Sequence, residues 1–200
     1  MVRYAITDRR QFAGSEPERS SALVAQARRL AASGVDLLQL RERDLAAREL
    51  AELGRRLVEE AGQVAGSHLR VLVNGPAHVA VAAGAAGVHL RRGASVEDIE
   101  RARELFEMAG AGAAVVSVSC HSVEEVERAR GADHVLFGPV FEKRVAGEVV
   151  LAGLGLARLR AACEAALGPR VLALGGVNAE NAESCAEAGA DGVAGIRMFL

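Results

Sequence analysis

Val115-Val116-Ser117-Val118-Ser119-Cys120-His121-Ser122 is a β-branched, apolar run that leads directly into Val123-Glu124-Glu125. The run reads as a buried strand. Ser122 with Glu125 three residues on reads as a capping box opening a helix. Strand side chains alternate between faces. Ser117, Ser119 and His121 therefore share one face, and Val116, Val118 and Cys120 the other. A polar row in a buried strand needs partners or a task. Cys120 and His121 point to opposite faces, so they are not read as a nucleophile and its base; Cys120 is expected to be a buried structural residue.

The same strand-to-helix unit recurs outward in both directions. Strand-like runs stand at Tyr4–Thr7, Leu37–Leu40, Val71–Val73, Gly87–Leu90, His134–Phe137, Val171–Leu174 and Gly192–Gly195. Helical patterns lie between them, at Ser20–Ser33, Asp44–Ala65, Ser95–Met108, Val123–Ala129, Leu156–Leu167 and Asn178–Ala188. Pro76 begins a further helix. Such alternation argues for parallel βαβ units. Four links repeat in addition: Gly34-Val35-Asp36, Gly84-Ala85-Ala86-Gly87, Gly131-Ala132-Asp133 and Gly189-Ala190-Asp191. Each follows a helix and precedes every second strand, and its glycine suits a left-handed helix end. Eight strands in four pairs predict an α/β fold, a TIM (β/α)8 barrel in one domain over residues 1–200. A doubly wound sheet is the alternative, but no G-x-G-x-x-G follows the first strand. The eighth helix is missing, because Arg197-Met198-Phe199-Leu200 closes the chain.

Composition narrows the function. The chain has 200 residues, 50% hydrophobic and 25% charged, as a packed globular domain requires. Aromatic residues make up 3% and the net charge is −2, which provides neither stacking platforms nor a basic footprint for nucleic acid. No apolar run is long enough to span a membrane. Three cysteines without metal-ligand spacing suit a reducing cytoplasm.

A TIM barrel places its site at the C-terminal ends of the strands. The second strand ends in Gln39-Leu40-Arg41-Glu42-Arg43. Gln39, Arg41 and Arg43 share a face there, and paired guanidiniums suit phosphate or carboxylate. The third ends in Asn74-Gly75-Pro76, where Asn74 either meets a ligand or caps the next helix. The fourth ends in His89-Leu90-Arg91-Arg92-Gly93, with His89 read as an interior histidine satisfied by its neighbours. The sixth ends in Phe137-Gly138-Pro139-Val140-Phe141 and opens a long segment up to Gly155, read as a mobile loop over the site. The seventh ends in Gly175-Gly176 and the eighth in Gly195-Ile196-Arg197. These two loops are the usual phosphate site of the fold.

In order and spacing these residues resemble the thiamine phosphate synthase and thiazole tautomerase (TenI-type) superfamily, from Tyr4-Ala5-Ile6-Thr7-Asp8 to Arg197. The resemblance runs through Gln39-Leu40-Arg41-Glu42-Arg43, Gly87-Val88-His89-Leu90, Ser119-Cys120-His121-Ser122, Phe137-Gly138-Pro139-Val140-Phe141 and Leu174-Gly175-Gly176-Val177. It implies a thiazole phosphate ligand and a place in thiamine biosynthesis. The synthase branch binds Mg²⁺ with carboxylates after the third and fourth strands. Here those places hold Asn74-Gly75 and Arg91-Arg92-Gly93-Ala94, and Glu142-Lys143-Arg144-Val145-Ala146 replaces a Thr-rich loop. The Arg-Glu-Arg ending and the Asn-Gly pair look like the tautomerase, which aromatises a thiazole phosphate carboxylate by moving a proton. The resemblance gives His121 the acid–base role, work that suits an imidazole.

The expectation is thus a cytoplasmic thiazole tautomerase-like isomerase with no cofactor or metal. His121 would be catalytic, with Ser119 and Asn74 orienting its ring. Gln39, Arg41, Arg43, Asn74, Ser119 and Gly138 would bind substrate. Gly175, Gly176, Gly195, Ile196 and Arg197 would hold the phosphate. Thiamine phosphate synthase and a non-catalytic phosphate-ligand binder are the alternatives. The partner is a small phosphorylated thiazole, with neither nucleic acid nor membrane. The missing helix predicts a homodimer or larger assembly, unless Ser20–Ser33 shifts to cover the gap.

Overall fold

A computed structural model describes residues 1–145 and 148–200. Eight parallel strands close into a barrel. In chain order they are β1 (Val2–Ile6), β2 (Leu37–Leu40), β3 (Arg70–Asn74), β4 (Gly87–Leu90), β5 (Val115–Cys120), β6 (His134–Phe137), β9 (Arg170–Leu174) and β10 (Gly192–Gly195), with β10 pairing back to β1. That last pairing excludes the open doubly wound sheet. The connecting helices are α1 (Glu16–Ala32), α2 (Ala47–Gly62), α3 (Ala77–Ala82), α4 (Val96–Met108), α5 (Val123–Arg128), α6 (Leu156–Ala165) and α7 (Ala182–Glu187). Between β6 and α6 the expected loop carries an antiparallel pair, β7 (Lys143–Val145) and β8 (Glu148–Leu151). Ala146 and Gly147 of that loop lie outside the described residues.

Local chemistry explains where helix ends depart from the sequence pattern. α1 starts at Glu16, since Ser15 and Glu18 form a capping box and Pro17 suits the first turn. α2 starts after Ala46, because the Asp44 carboxylate is held by Arg9 at 2.7 and 2.8 Å. α7 starts late, because Asn178 Oδ1 accepts from the N–H groups of Glu180 and Asn181 and folds residues 178–181 into a turn.

The repeated links are clamps. The Asp36 carboxylate accepts from Arg3 N at 2.8 Å, Asp133 from Val116 N at 2.7 Å, and Asp191 from Val171 N at 2.8 Å. In return their own N–H groups donate to the carbonyls of the same three residues. Each aspartate thus ties the strand that follows it to the strand before, fixing register at the foot of the barrel. The link at Ala86 has only the backbone half, donating to Val71 O. Gly34, Gly84 and Gly189 have the expected positive φ; Gly131 does not, so the left-handed reading fails for that link.

Alternation divides the core in two. Val116, Val118 and Cys120 face the helices, whereas Tyr4, Leu37, Leu72, Val115, Leu136 and Leu172 fill the barrel. Burial pushes the Cys120 thiol up to about 12, so it is inert, as the strand pattern implied. After β10 a 3-10 turn at Arg197–Phe199 packs beside α1 and Arg3 of β1. Phe199 is only 7% exposed, its carbonyl accepts from Gln26 Nε2 of α1 at 2.8 Å, and the Arg3 guanidinium lies 5.9 Å from its ring centre. Phe199 is therefore packed on the side that the strand-and-helix pattern was expected to leave uncovered. Among the described residues no helix is long and apolar enough to cross a membrane.

Candidate active site

Strand alternation delivers His121 to the barrel mouth just past the end of β5. Its backbone N–H donates to Glu125 Oε2 at 2.6 Å. Glu125 is the residue a capping box would aim at Ser122 N–H; here only the Ser122 half forms, and the carboxylate reaches one residue further back. The second Glu125 oxygen takes Arg92 Nε at 2.6 Å. Burial raises the Glu125 pKa, but the His121 N–H and Arg92 outweigh it and hold the carboxylate below its ordinary value. The His121 ring meets the Gly138 carbonyl through Nδ1. A carbonyl only accepts, so Nδ1 carries the hydrogen, and in the neutral ring the lone pair is on Nε2.

The ring's partner in the structure is Gly138. Gly138 sets the ring's orientation, a role expected of Ser119 and Asn74. Gly138 is not among the residues lining the mouth cavity. Asn74 does line that cavity, and α3 follows an N-cap at Pro76 that makes no side-chain cap bond. Ser119 also lines it but bonds to His89 Nε2 at 2.8 Å.

The mouth cavity has a volume of about 510 Å³ and gathers Gln39, Arg41, Arg43, Asn74, Ser119 and His121 with His89, Arg91 and Arg92. Among the described residues four guanidiniums line it and no carboxylate does. Arg41 is half-buried; burial, and next the charge of Arg43, push its pKa below the ordinary value. A bound anion would relieve both effects. Glu42, on the opposite face of the Arg-Glu-Arg run, is buried against Arg9 Nη1 at 2.9 Å and Thr7 Oγ1 at 2.6 Å. Thr7 Oγ1 in turn accepts from Arg41 N at 2.9 Å, so the buried pair aims the two arginines at the mouth. Gln39 is 1% exposed and its Oε1 has no partner, leaving a polar atom for a ligand to satisfy.

A second cavity of about 440 Å³ shares Leu174 and Ile196 with the first. It collects Gly175, Gly176, Gly195, Ile196 and Arg197, along with Phe141, Glu142 and Leu151 from the β6–α6 segment. The structure thus brings the expected phosphate residues together beside the expected substrate residues. Asp8 also lines this cavity, but its carboxylate already accepts from Arg10 N and Gln11 Nε2. The residues that pattern reading left out are Arg91 and Arg92. Their signal was position alone, at the C-terminal end of β4. The donor set at the mouth does not fit the Mg²⁺ of the synthase branch, which demands hard oxygen ligands where this chain has guanidiniums.

Comparison with known proteins finds relatives named thiamine-phosphate synthase. A thiamine-phosphate synthase of Methanoculleus marisnigri is 36% identical over 183 residues, covering 87% of this chain and 78% of that protein. One from Koribacter versatilis is 35% identical over 208 residues, covering 98% and 88%. A thiamine phosphate pyrophosphorylase structure from Pyrococcus furiosus superposes with a TM-score of 0.77 at 28% identity, over 100% of this chain and 88% of that one. A model described as thiamine monophosphate synthase matches residues 3–199, taking in every barrel strand whose end lines the two cavities, and the chain belongs to that family.

Proposed function

We propose that this enzyme moves a proton on a phosphorylated thiazole carboxylate, aromatising its ring. The observation that carries the reading is the mouth cavity, with four guanidiniums and no carboxylate among the described residues, and His121 held by Gly138 so that its Nε2 faces the ligand side of the ring. Gly175, Gly176, Gly195 and Arg197 receive the phosphate in the second cavity. Arg41 and Arg43, with Arg91 beside them, take the carboxylate. His121 Nε2 removes a proton from the ring system and returns it at another atom, so the product is an isomer and nothing else is consumed. Small-molecule binding of this kind needs neither nucleic acid nor membrane, and a cytoplasmic enzyme is the setting we infer.

The test is turnover of the thiazole phosphate carboxylate tautomer, followed by ring absorbance, for wild type and His121→Ala. The variant is expected to fold normally and to lose about 10²–10⁴ in rate. Wild-type rate in the variant would remove His121 from the reaction. Turnover is also expected to be indifferent to EDTA.

The names of the relatives favour a second reading, thiamine phosphate synthesis from a pyrimidine diphosphate and a thiazole phosphate. It predicts Mg²⁺-dependent formation of thiamine phosphate by the purified protein. Chelator-sensitive synthesis of that product would replace the first reading with this one.

A further inference from the structure

Four side chains form one line through the barrel. The Tyr4 hydroxyl lies 2.9 Å from Ser117 Oγ, Ser117 Oγ lies 2.8 Å from His89 Nδ1, and His89 Nε2 lies 2.8 Å from Ser119 Oγ. Tyr4 and Ser117 have no exposure, His89 is 3% exposed, and Ser119 faces the mouth cavity. Around Tyr4 the barrel is filled by Leu37, Leu72, Val115 and Leu136, none of which offers a side-chain acceptor.

Counting hydrogens fixes the direction of the line. His89 is neutral: burial, and next the nearby Arg41, lower its pKa to about 3. Tyr4, Ser117, His89 and Ser119 then each contribute one hydrogen to three hydrogen bonds, so one hydrogen is left over. If Ser119 donated to His89, the spare hydrogen would sit on Ser117 or Tyr4. Neither has another acceptor among the described hydrogen bonds, and a stranded buried donor is strongly disfavoured. Only one arrangement strands nothing. Tyr4 donates to Ser117, Ser117 to His89 Nδ1, and His89 Nε2–H to Ser119. The spare hydrogen is then that of Ser119, at the cavity.

We propose that Tyr4, Ser117 and His89 are positioning residues that hold Ser119 as a hydrogen-bond donor into the mouth cavity, so that the ligand atom it meets is an acceptor. Among the residues lining that wall, Ser119 joins the guanidiniums as a donor, and His121 Nε2 is left as the basic atom. A ligand with a carboxylate or carbonyl oxygen toward Ser119 takes up the spare hydrogen, whereas an analogue that presents only an amine or hydroxyl donor there leaves it unpaired. This recognition rests on the reading of the cavity given above, whereas the direction of the line does not.

The experiment is nitrogen-15 NMR of histidine-labelled, ligand-free protein at neutral pH, with His89 assigned by its loss in His89→Gln. The expected species is Nε2–H with Nδ1 unprotonated. Tyr4→Phe should leave it unchanged, because reversing the shortened line would still strand the Ser117 hydrogen. Ser117→Ala should release it to a tautomer mixture. A merely structural role would not sort the two variants in this way. An Nδ1–H tautomer in wild type, or release by Tyr4→Phe, would overturn the proposal. Ser119→Ala should weaken binding of the thiazole phosphate carboxylate by about 3- to 10-fold. If wild type shows Nε2–H but binds none of that compound, the ligand assignment fails and the locked line stands.

Discussion

At Gly176 the backbone φ is +67°, and an added Cβ would lie 2.7 Å from Phe141 Cβ. Both effects oppose any side chain. Gly176→Ala is therefore expected to lower stability by about 1–3 kcal/mol, read from urea unfolding, and a larger residue there is no clean probe of phosphate binding. Gly195 is the better probe. Its added Cβ would meet Met198 Cγ at 3.0 Å and Sδ at 3.1 Å, atoms of a flexible chain that can turn aside. Gly195→Ala should weaken phosphate-ligand binding in calorimetry while leaving the unfolding midpoint nearly unchanged; unchanged affinity would move the phosphate elsewhere. Both glycines were legible from sequence as strand ends, since the fold fixes where the seventh and eighth strands stop. The contact with Phe141 was not, because it depends on how the β6–α6 segment crosses β9 in space. The Ser117, Ser119 and His121 row was legible from strand period alone. The diversion of the His121 ring to Gly138 was not, because Gly138 comes from another strand end.

The elements were read with greater success than their ends, because period and punctuation are local signals while a helix start depends on which side chain competes for its first N–H groups. The β7–β8 pair escaped because its strands are short and their alternation is weak. The Gly-x-Asp links were recognised as a repeat, but the reason for the aspartate emerged only from its hydrogen bonds to the neighbouring strand. The exception at Ala86 yields a prediction. Ala86 N already donates to Val71 O, as the three aspartates do to their partners. Ala86→Asp would place a carboxylate where the other links bond the N–H of that partner. The expected gain is about 0.5–1.5 kcal/mol in urea unfolding, and Asp133→Ala should lose a similar amount or more. A neutral or destabilising Ala86→Asp would show that the clamps follow register rather than secure it.

For the molecule as a whole, two buried features set when it unfolds. The first is His89, whose pKa falls from 6.5 to about 3 on folding. Between those values the unfolded chain binds a proton that the native one refuses, so stability drops as pH falls, by about 1.4 kcal/mol per unit, and is recovered above 6.5. His134, lowered mainly by burial, acts in the same direction. Unfolding midpoints between pH 7 and 5 should show this slope, and His89→Gln should flatten most of it; an unchanged slope would mean that His89 is charged in the native state. The second feature is the seam between β1 and β10. The sequence left it bare and so predicted a second copy of the chain over it, but Phe199 lies there, buried against α1 and under Arg3. Deleting a buried phenyl ring costs about 3–5 kcal/mol where the site cannot collapse. If the tail alone closes the seam, Phe199→Ala should lose about 3 kcal/mol, and both proteins should melt at the same temperature from 1 to 100 μM. If a second copy covers the seam, melting should rise with concentration in wild type, and sedimentation should show dimer. The 7% exposure of Phe199 and its bonded carbonyl favour the first outcome, since a ring already excluded from water leaves a partner little apolar surface to remove.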